Sequence, residues 1–175
     1  MSDAKLTAPY ASPRSIRPRR LRRDDATRRL VRENRLSADD LIYPVFVQTG
    51  QNQRYPVPSM PGVERLSLDL LLPVAEQCLT LGIPVMALFP VIDPALKTPD
   101  GREATNPTGL VPTVVAELKK RFPELAILTD VALDPYTSHG QDGVIDEDGY
   151  VINDITVDLL TDQALAQARA GERAV

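Results

Sequence analysis

The chain has 175 residues, a formal net charge of −4 and a hydrophobic fraction of 43%, which suits one medium globular domain with a core. Its single cysteine, Cys78, excludes an internal disulfide and any CxxC metal or redox motif. The first residues lack an apolar h-region and no run approaches the roughly 20 apolar residues of a membrane span, so a cytoplasmic protein with no membrane partner is expected.

The net charge conceals an asymmetry. Ten arginines lie between Arg14 and Arg35, against Asp24, Asp25 and Glu33. A basic arm of this kind attracts nucleic acid in some proteins. This one has no interleaved aromatics on which bases would stack, and no nucleic-acid motif follows it. No nucleic-acid partner is therefore expected, and the arm reads instead as an element that docks on an acidic surface such as a neighbouring subunit.

In chain order, Pro9, Pro13 and Pro18 predict an extended tail to about residue 20. DDATRRLVRENRL then predicts a short helix capped by Asp24 or Asp25, completing an arm over residues 1–36 ahead of a domain over residues 37–175. LIYPVFVQT (41–49) reads as a buried strand. The run 66–82 reads as a helix with Leu71, Val74 or Ala75, Cys78 and Leu79 on one face and Gly82 as its stop. Pro73 either kinks that helix or marks a start near Asp69. A strand over 85–92, a helix over 106–122 with Asn106 as cap, a strand over 126–134 and a helix over 155–171 complete the pattern.

Alternating strands and helices predict βαβ units around a parallel sheet, and near-continuous apolar strands fit burial on both faces. The strand-to-helix loops are long and polar, and function collects in those loops in both barrels and open sheets. The fold class expected is α/β: a partial (β/α)8 TIM barrel of about three βα units after the arginine-rich arm. A closed barrel takes eight strands and about 250 residues. The chain is accordingly expected to be a truncated piece, with Ala174 and Val175 beginning a fourth strand.

The stretch TDVALDPYTSHGQDGVIDEDG (129–149) concentrates the chemistry. On a strand, Asp130, Ala132 and Asp134 share one face, and Asp142, beyond the YTSHG turn, can fold back over the same rim. Neighbouring carboxylates raise one another's pKa unless a cation intervenes. Such a rim suits a metal, an amine-bearing substrate or proton transfer; the plainer reading is a strand end with solvated aspartates. A calcium loop is excluded, because aligning Gly149 with the invariant EF-hand glycine puts Val144 and Ile155 at ligand positions. EDG is better read as a hairpin turn. His139, the only histidine, lacks a cysteine or second histidine for a zinc site. It is either a general acid/base or a hydrogen-bonded loop residue. Of Lys5, Lys97, Lys119 and Lys120, only Lys97 falls on the functional side, in a loop ill-suited to the desolvated amine a Schiff base needs. No P-loop, GxGxxG or GxSxG sequence is present.

DVALDPYTSHGQDG resembles the metal-region signature of the porphobilinogen synthase (δ-aminolevulinate dehydratase) family. The likeness continues through RRDD, PVFV, SMPGVERLS and ALFPVIDPALK, in family order from about residue 20. It implies a β/α barrel whose amino-terminal arm wraps a neighbouring subunit, usually in a homo-octamer. It also implies condensation of two 5-aminolevulinate molecules, with loss of two waters, to porphobilinogen on the route to haem and other tetrapyrroles. Zinc-using members carry cysteines where this chain has Ala132, Asp134 and Asp142. The resemblance therefore implies the zinc-independent, magnesium-responsive branch, with Asp130, Asp134 and Asp142 lining the site against substrate amine or water. The family's two Schiff-base lysines, its substrate-carboxylate ligands and its magnesium site correspond to positions beyond Val175. No substrate-binding residue is thus identified within the chain, which is expected to be inactive alone. Two other readings stand beside this one: a non-catalytic assembly or regulatory chain that docks on full-length subunits, and an acidic-loop magnesium hydrolase dependent on Asp130.

Overall fold

The computed structural model describes residues 18–171. The chain divides between Leu36 and Ser37 into two compact units. In the first, a 3-10 turn over Pro18–Arg22 precedes helix α1, Asp25–Leu30. Asp24 is its cap: the carboxylate accepts from the Thr27 backbone N–H and hydroxyl, both at 2.8 Å. The helix is shorter than the expected stretch to residue 36. None of its residues is buried, and a short helix without a packed apolar face has little to hold it together. The expected extended tail lies outside the described residues up to residue 17, and from Pro18 the backbone is a 3-10 turn instead.

The second unit is built on a five-stranded sheet in the order β2-β3-β1-β4-β5. Strands β1 (Ile42–Gln48), β4 (Val85–Val91) and β5 (Ala126–Thr129) are parallel, pairing Val45 with Leu88 and Met86 with Ile127. Strand β3 (Glu64–Ser67) runs parallel to β1, and β2 (Arg54–Pro56) pairs antiparallel with β3. Neither β2 nor β3 was expected. Each is a three- or four-residue polar segment, RYP and ERLS, without the apolar run that marks a buried strand.

Helices α2 (Leu68–Thr80) and α3 (Leu110–Arg121) pack against one face of the sheet. Val45, Val47, Met86, Leu88 and Ile127 meet Leu71, Ala75 and Cys78 of α2, and Val111, Val114, Val115 and Leu118 of α3. Burying each such Leu, Val or Ile contributes about 1.5–3 kcal/mol, and the same burial pushes the Cys78 thiol above its usual pKa. Helix α2 starts at Leu68 and continues through Pro73, which gives up one helical hydrogen bond. It ends where Gly82, at φ +75°, lets its N–H reach the Leu79 carbonyl and the Ile83 N–H reach that of Cys78. Side chains on the opposite sheet face include the tilted Phe46–Phe89 pair, centroids 6.1 Å apart, and Leu128, 39% exposed. Helices on one side of a mostly parallel sheet make this a partial β/α barrel.

Other boundaries differ from expectation as well. Asn106 is not the cap of α3. Its side-chain oxygen accepts from the Thr108 N–H at 3.0 Å, a turn ahead of the helix, and Gly109 is the cap. Helix α4 spans Asn153–Ala170. Strand β5 stops at Thr129, opposite Leu88, so Asp130 to Asp134 lie beyond the ladder. A second small core under the loops, Ile92, Ala104, Leu133 and Tyr136, packs against Leu110, Leu159 and Leu160.

Candidate active site at the carboxyl ends of the strands

The loops that leave β4 and β5 are stitched to each other by backbone. Thr98 N–H donates to the Tyr136 carbonyl at 3.2 Å, and Ser138 N–H returns a bond to the Thr98 carbonyl at 3.0 Å. At Gly101, φ +60°, an added Cβ would stand 3.3 Å from Thr137 Cγ2 and within 4 Å of Leu133 and Tyr136. Beside it Arg102 binds Asp100 through two nitrogens at 3.1 and 3.0 Å, and the Thr98 hydroxyl donates at 2.6 Å. Arg102 first, then Thr98, pull the Asp100 carboxyl down to about 2.

His139 joins this scaffold. Its Nδ1 accepts from the Gln141 N–H at 3.1 Å, which assigns the proton to Nε2, 3.0 Å from the Pro99 carbonyl. Both ring nitrogens are committed to backbone, so the histidine is a loop staple and not a free acid/base. The Thr137 hydroxyl donates to the Gln141 carbonyl at 2.9 Å and closes the same turn.

Asp142 follows that turn and is set by its neighbour. Gly143 is buried where a Cβ would meet Val151 Cγ1 at 2.6 Å and Thr156 Oγ1 at 2.7 Å. Only a glycine allows the loop so close to the first turn of α4. Val144 N–H then donates to Thr156 Oγ1 at 3.1 Å. The acidic run beyond is the expected hairpin: Ile145 bridges Val151, Gly149 has φ +80°, and Asp146 Oδ1 accepts from the Asp148 and Tyr150 N–H groups.

Asp130, Asp134 and Asp142 are all solvent-exposed, and the structure brings them into one electrostatic neighbourhood. Partial desolvation raises the Asp134 carboxyl above the usual aspartate range, the charges of Asp142 and Asp130 raise it further, and Lys97 opposes them. Ladder pairing ends at Thr129, so the segment of Asp130, Ala132 and Asp134 is not a paired strand, although the Asp130 and Ala132 carbonyls still face one way, toward α4. It is the loop path that gathers them. Lys97 enters from the β4 loop, directly after the 3-10 turn Pro94–Leu96.

The other lysines serve elsewhere. Lys119 donates to the Pro123 and Leu125 carbonyls at 2.7 and 2.8 Å, tying off α3. Lys120 is exposed, and Lys5 lies outside the described residues. Two residues escaped the sequence reading: the buried glutamines Gln163 and Gln167 of α4, which hold the Ala132 and Asp130 carbonyls. Their signal was a pair of amides one helical turn apart beside Leu159, Leu160 and Ala166.

The delta-aminolevulinic acid dehydratase family matches residues 15–175. The chain belongs to that family. A delta-aminolevulinic acid dehydratase of Bradyrhizobium diazoefficiens is 54% identical over 157 residues, covering 90% of this chain and 44% of that relative. A chloroplastic dehydratase of Physcomitrium patens is 44% identical over 175 residues, covering 96% of this chain and 40% of the relative. The crystal structure of delta-aminolevulinic acid dehydratase from Toxoplasma gondii ME49, in complex with its reaction product porphobilinogen, superposes with a TM-score of 0.84. It is 46% identical and covers 89% of this chain and 44% of its own. The chain thus spans less than half the length of these dehydratases. No helix among the described residues is long and apolar enough to cross a membrane.

The donor set does not fit the zinc of thiolate-using members. The three positions offer a methyl group, Ala132, and two exposed carboxylates, while the one thiol, Cys78, is buried in α2. Among the described residues no group of three His, Cys, Asp or Glu side chains could hold a metal ion.

Proposed function

We propose that this chain supplies the acidic wall of a zinc-independent porphobilinogen synthase site and forms the amino-terminal part of its barrel. The complete enzyme joins two 5-aminolevulinate molecules, forming one C–C and one C–N bond and releasing two waters. Each substrate brings a ketone, a carboxylate and an amino group. The observation that carries the reading is the exposed loop beyond the end of β5, which carries Asp130, Asp134 and Asp142 and where partial desolvation, then Asp142 and Asp130, raise the Asp134 carboxyl. A carboxyl that keeps its proton to higher pH is suited to exchanging protons with an amine or a departing water. Asp130 and Asp142 present negative charge to a substrate ammonium. The magnesium response that the resemblance implies belongs to the complete enzyme. A cytoplasmic, arm-linked homo-oligomer of the octamer type completes the proposal.

The ketone-holding lysines of the family are, in this reading, supplied from outside the chain, which is inactive by itself. Lys119 is bound to two carbonyls, and Lys97 stands near carboxylates in an accessible loop, not in the dry pocket an imine-forming amine needs. The test is incubation of the purified chain with 5-aminolevulinate, a colour reaction for pyrrole, and borohydride reduction with peptide mapping. No pyrrole and no labelled lysine are expected. Turnover like that of a complete enzyme, or a label on Lys97, would refute the assignment. The arginine-rich residues of α1, none of them buried, favour a second reading, an assembly or regulatory chain that docks on full-length subunits. Stable co-purification with a full-length dehydratase, with altered activity of the latter, would establish it.

A further inference from the structure

Helix α4 turns two glutamines toward the back of the acidic segment. Gln163 is 0% and Gln167 2% exposed. Gln163 Nε2 donates to the Ala132 carbonyl and Gln167 Nε2 to the Asp130 carbonyl, each at 3.1 Å. The match is geometric. Four residues of helix rise about 6 Å, and two residues of extended chain span about 6.6 Å. A helix running back along the segment can therefore meet alternate carbonyls with an i, i+4 pair of amides.

These two carbonyls belong to the stretch that has left the sheet. After Thr129 the segment has no ladder partner on β4, so the glutamines replace the missing ladder. They do so at a cost. Both Oε1 atoms are buried without a hydrogen-bond partner among the described residues, and such an unsatisfied polar atom typically costs about 1–3 kcal/mol. An aliphatic side chain packed beside Leu159 and Leu160 would avoid that penalty, but it would leave the segment ungripped.

We propose that Gln163 and Gln167 are positioning residues, which set the spacing of Asp130 and Asp134 by gripping the Asp130 and Ala132 carbonyls from behind. The inference rests on the acidic rim being the working surface. Its test uses no substrate, so a chain that fails to act on 5-aminolevulinate and a chain whose glutamines do not position the rim give different results.

The experiment is a 13C carboxyl NMR titration of the whole chain and of the Gln163→Met and Gln167→Met variants, methionine being similar in length and without a donor. Asp134 is read against Asp100, whose low midpoint of about 2 reports an intact loop scaffold. The groups whose charges bear on Asp134 are Asp142, Asp130 and Lys97. With the grip gone, the segment gains solvent and spreads from Asp142, and the Asp134 midpoint falls toward the ordinary aspartate range while Asp100 stays put. An unchanged Asp134 midpoint in a variant that keeps the Asp100 signature overturns the proposal. Should both variants lose that signature, the unaltered chain decides through a trans-hydrogen-bond coupling between Gln167 Nε2 and the Asp130 carbonyl carbon. Its detection supports the grip and its absence overturns it.

Discussion

Replacing Gly143 with alanine isolates the contact that places Asp142. The glycine is not in the left-handed region, so the cost is one of space alone. The new methyl would stand 2.6 Å from Val151 Cγ1, 2.7 Å from Thr156 Oγ1 and 2.9 Å from Thr156 Cγ2, whereas non-bonded carbons settle at about 3.5–4.0 Å. Relief requires a movement of nearly an ångström, and neither neighbour is free to give it. Thr156 Oγ1 accepts from Val144 N–H and donates to the Ile152 carbonyl at 2.8 Å, and Val151 is held by its bridge to Ile145. Overpacking of this kind costs about 1–3 kcal/mol, and the strained Val144 bond adds about 1 kcal/mol. Urea unfolding followed by circular dichroism should report a loss of about 2–4 kcal/mol. A loss below about 0.5 kcal/mol, the range of an inert surface change, would show that the loop does not rest on α4 as described.

Leu118→Ala, at a fully buried site between α3 and the sheet, should lower stability by about 2–5 kcal/mol in the same assay. His139→Ala removes the staple between the Gln141 N–H and the Pro99 carbonyl. It should lose about 1–2 kcal/mol and speed hydrogen exchange at Gln141 more than on α2. Asp100 and Asp134 have opposite pH signatures. The folded-state pKa of Asp100 is depressed to about 2 from 3.8, so its contribution is present above pH 3.8 and lost as pH falls through about 2. For this solvent-screened pair it amounts to about 0.2–1 kcal/mol, and Asp100→Asn should remove it at neutral pH while changing little near pH 2. Asp134 has a raised folded-state pKa, so stability from its protonated form is present below the ordinary aspartate range and lost as pH rises through the higher value. Asp134→Asn should therefore be stabilising at neutral pH, and a destabilised variant there would contradict the pKa assignment.

The parallel strands and their helices were legible because a central parallel strand leaves a continuous apolar run, as VMALFPV does, and because Gly82 and Gly149 mark turns at positive φ. Strands β2 and β3 were not legible. Their three or four polar residues pair through backbone, which leaves no mark on hydrophobic periodicity. The end of β5 was misjudged for a related reason. AILTDVALD keeps a strand-like pattern, yet the ladder stops at Thr129, and amides from α4, far along the chain, take over the carbonyls. The choice left open for His139 was a matter of partners distant in sequence: Pro99 lies 40 residues away.

The most direct measurement of the acidic wall's role is made in a complete barrel. Residues 15–175 would replace the matching stretch of the Bradyrhizobium diazoefficiens dehydratase, and porphobilinogen formation would be followed with and without Asp134→Ala. The chimaera should turn over 5-aminolevulinate and the variant should lose about 10²–10⁴-fold in kcat, the usual contribution of a general acid/base. An active chimaera whose kcat is indifferent to the loss of the Asp134 carboxyl would contradict that role.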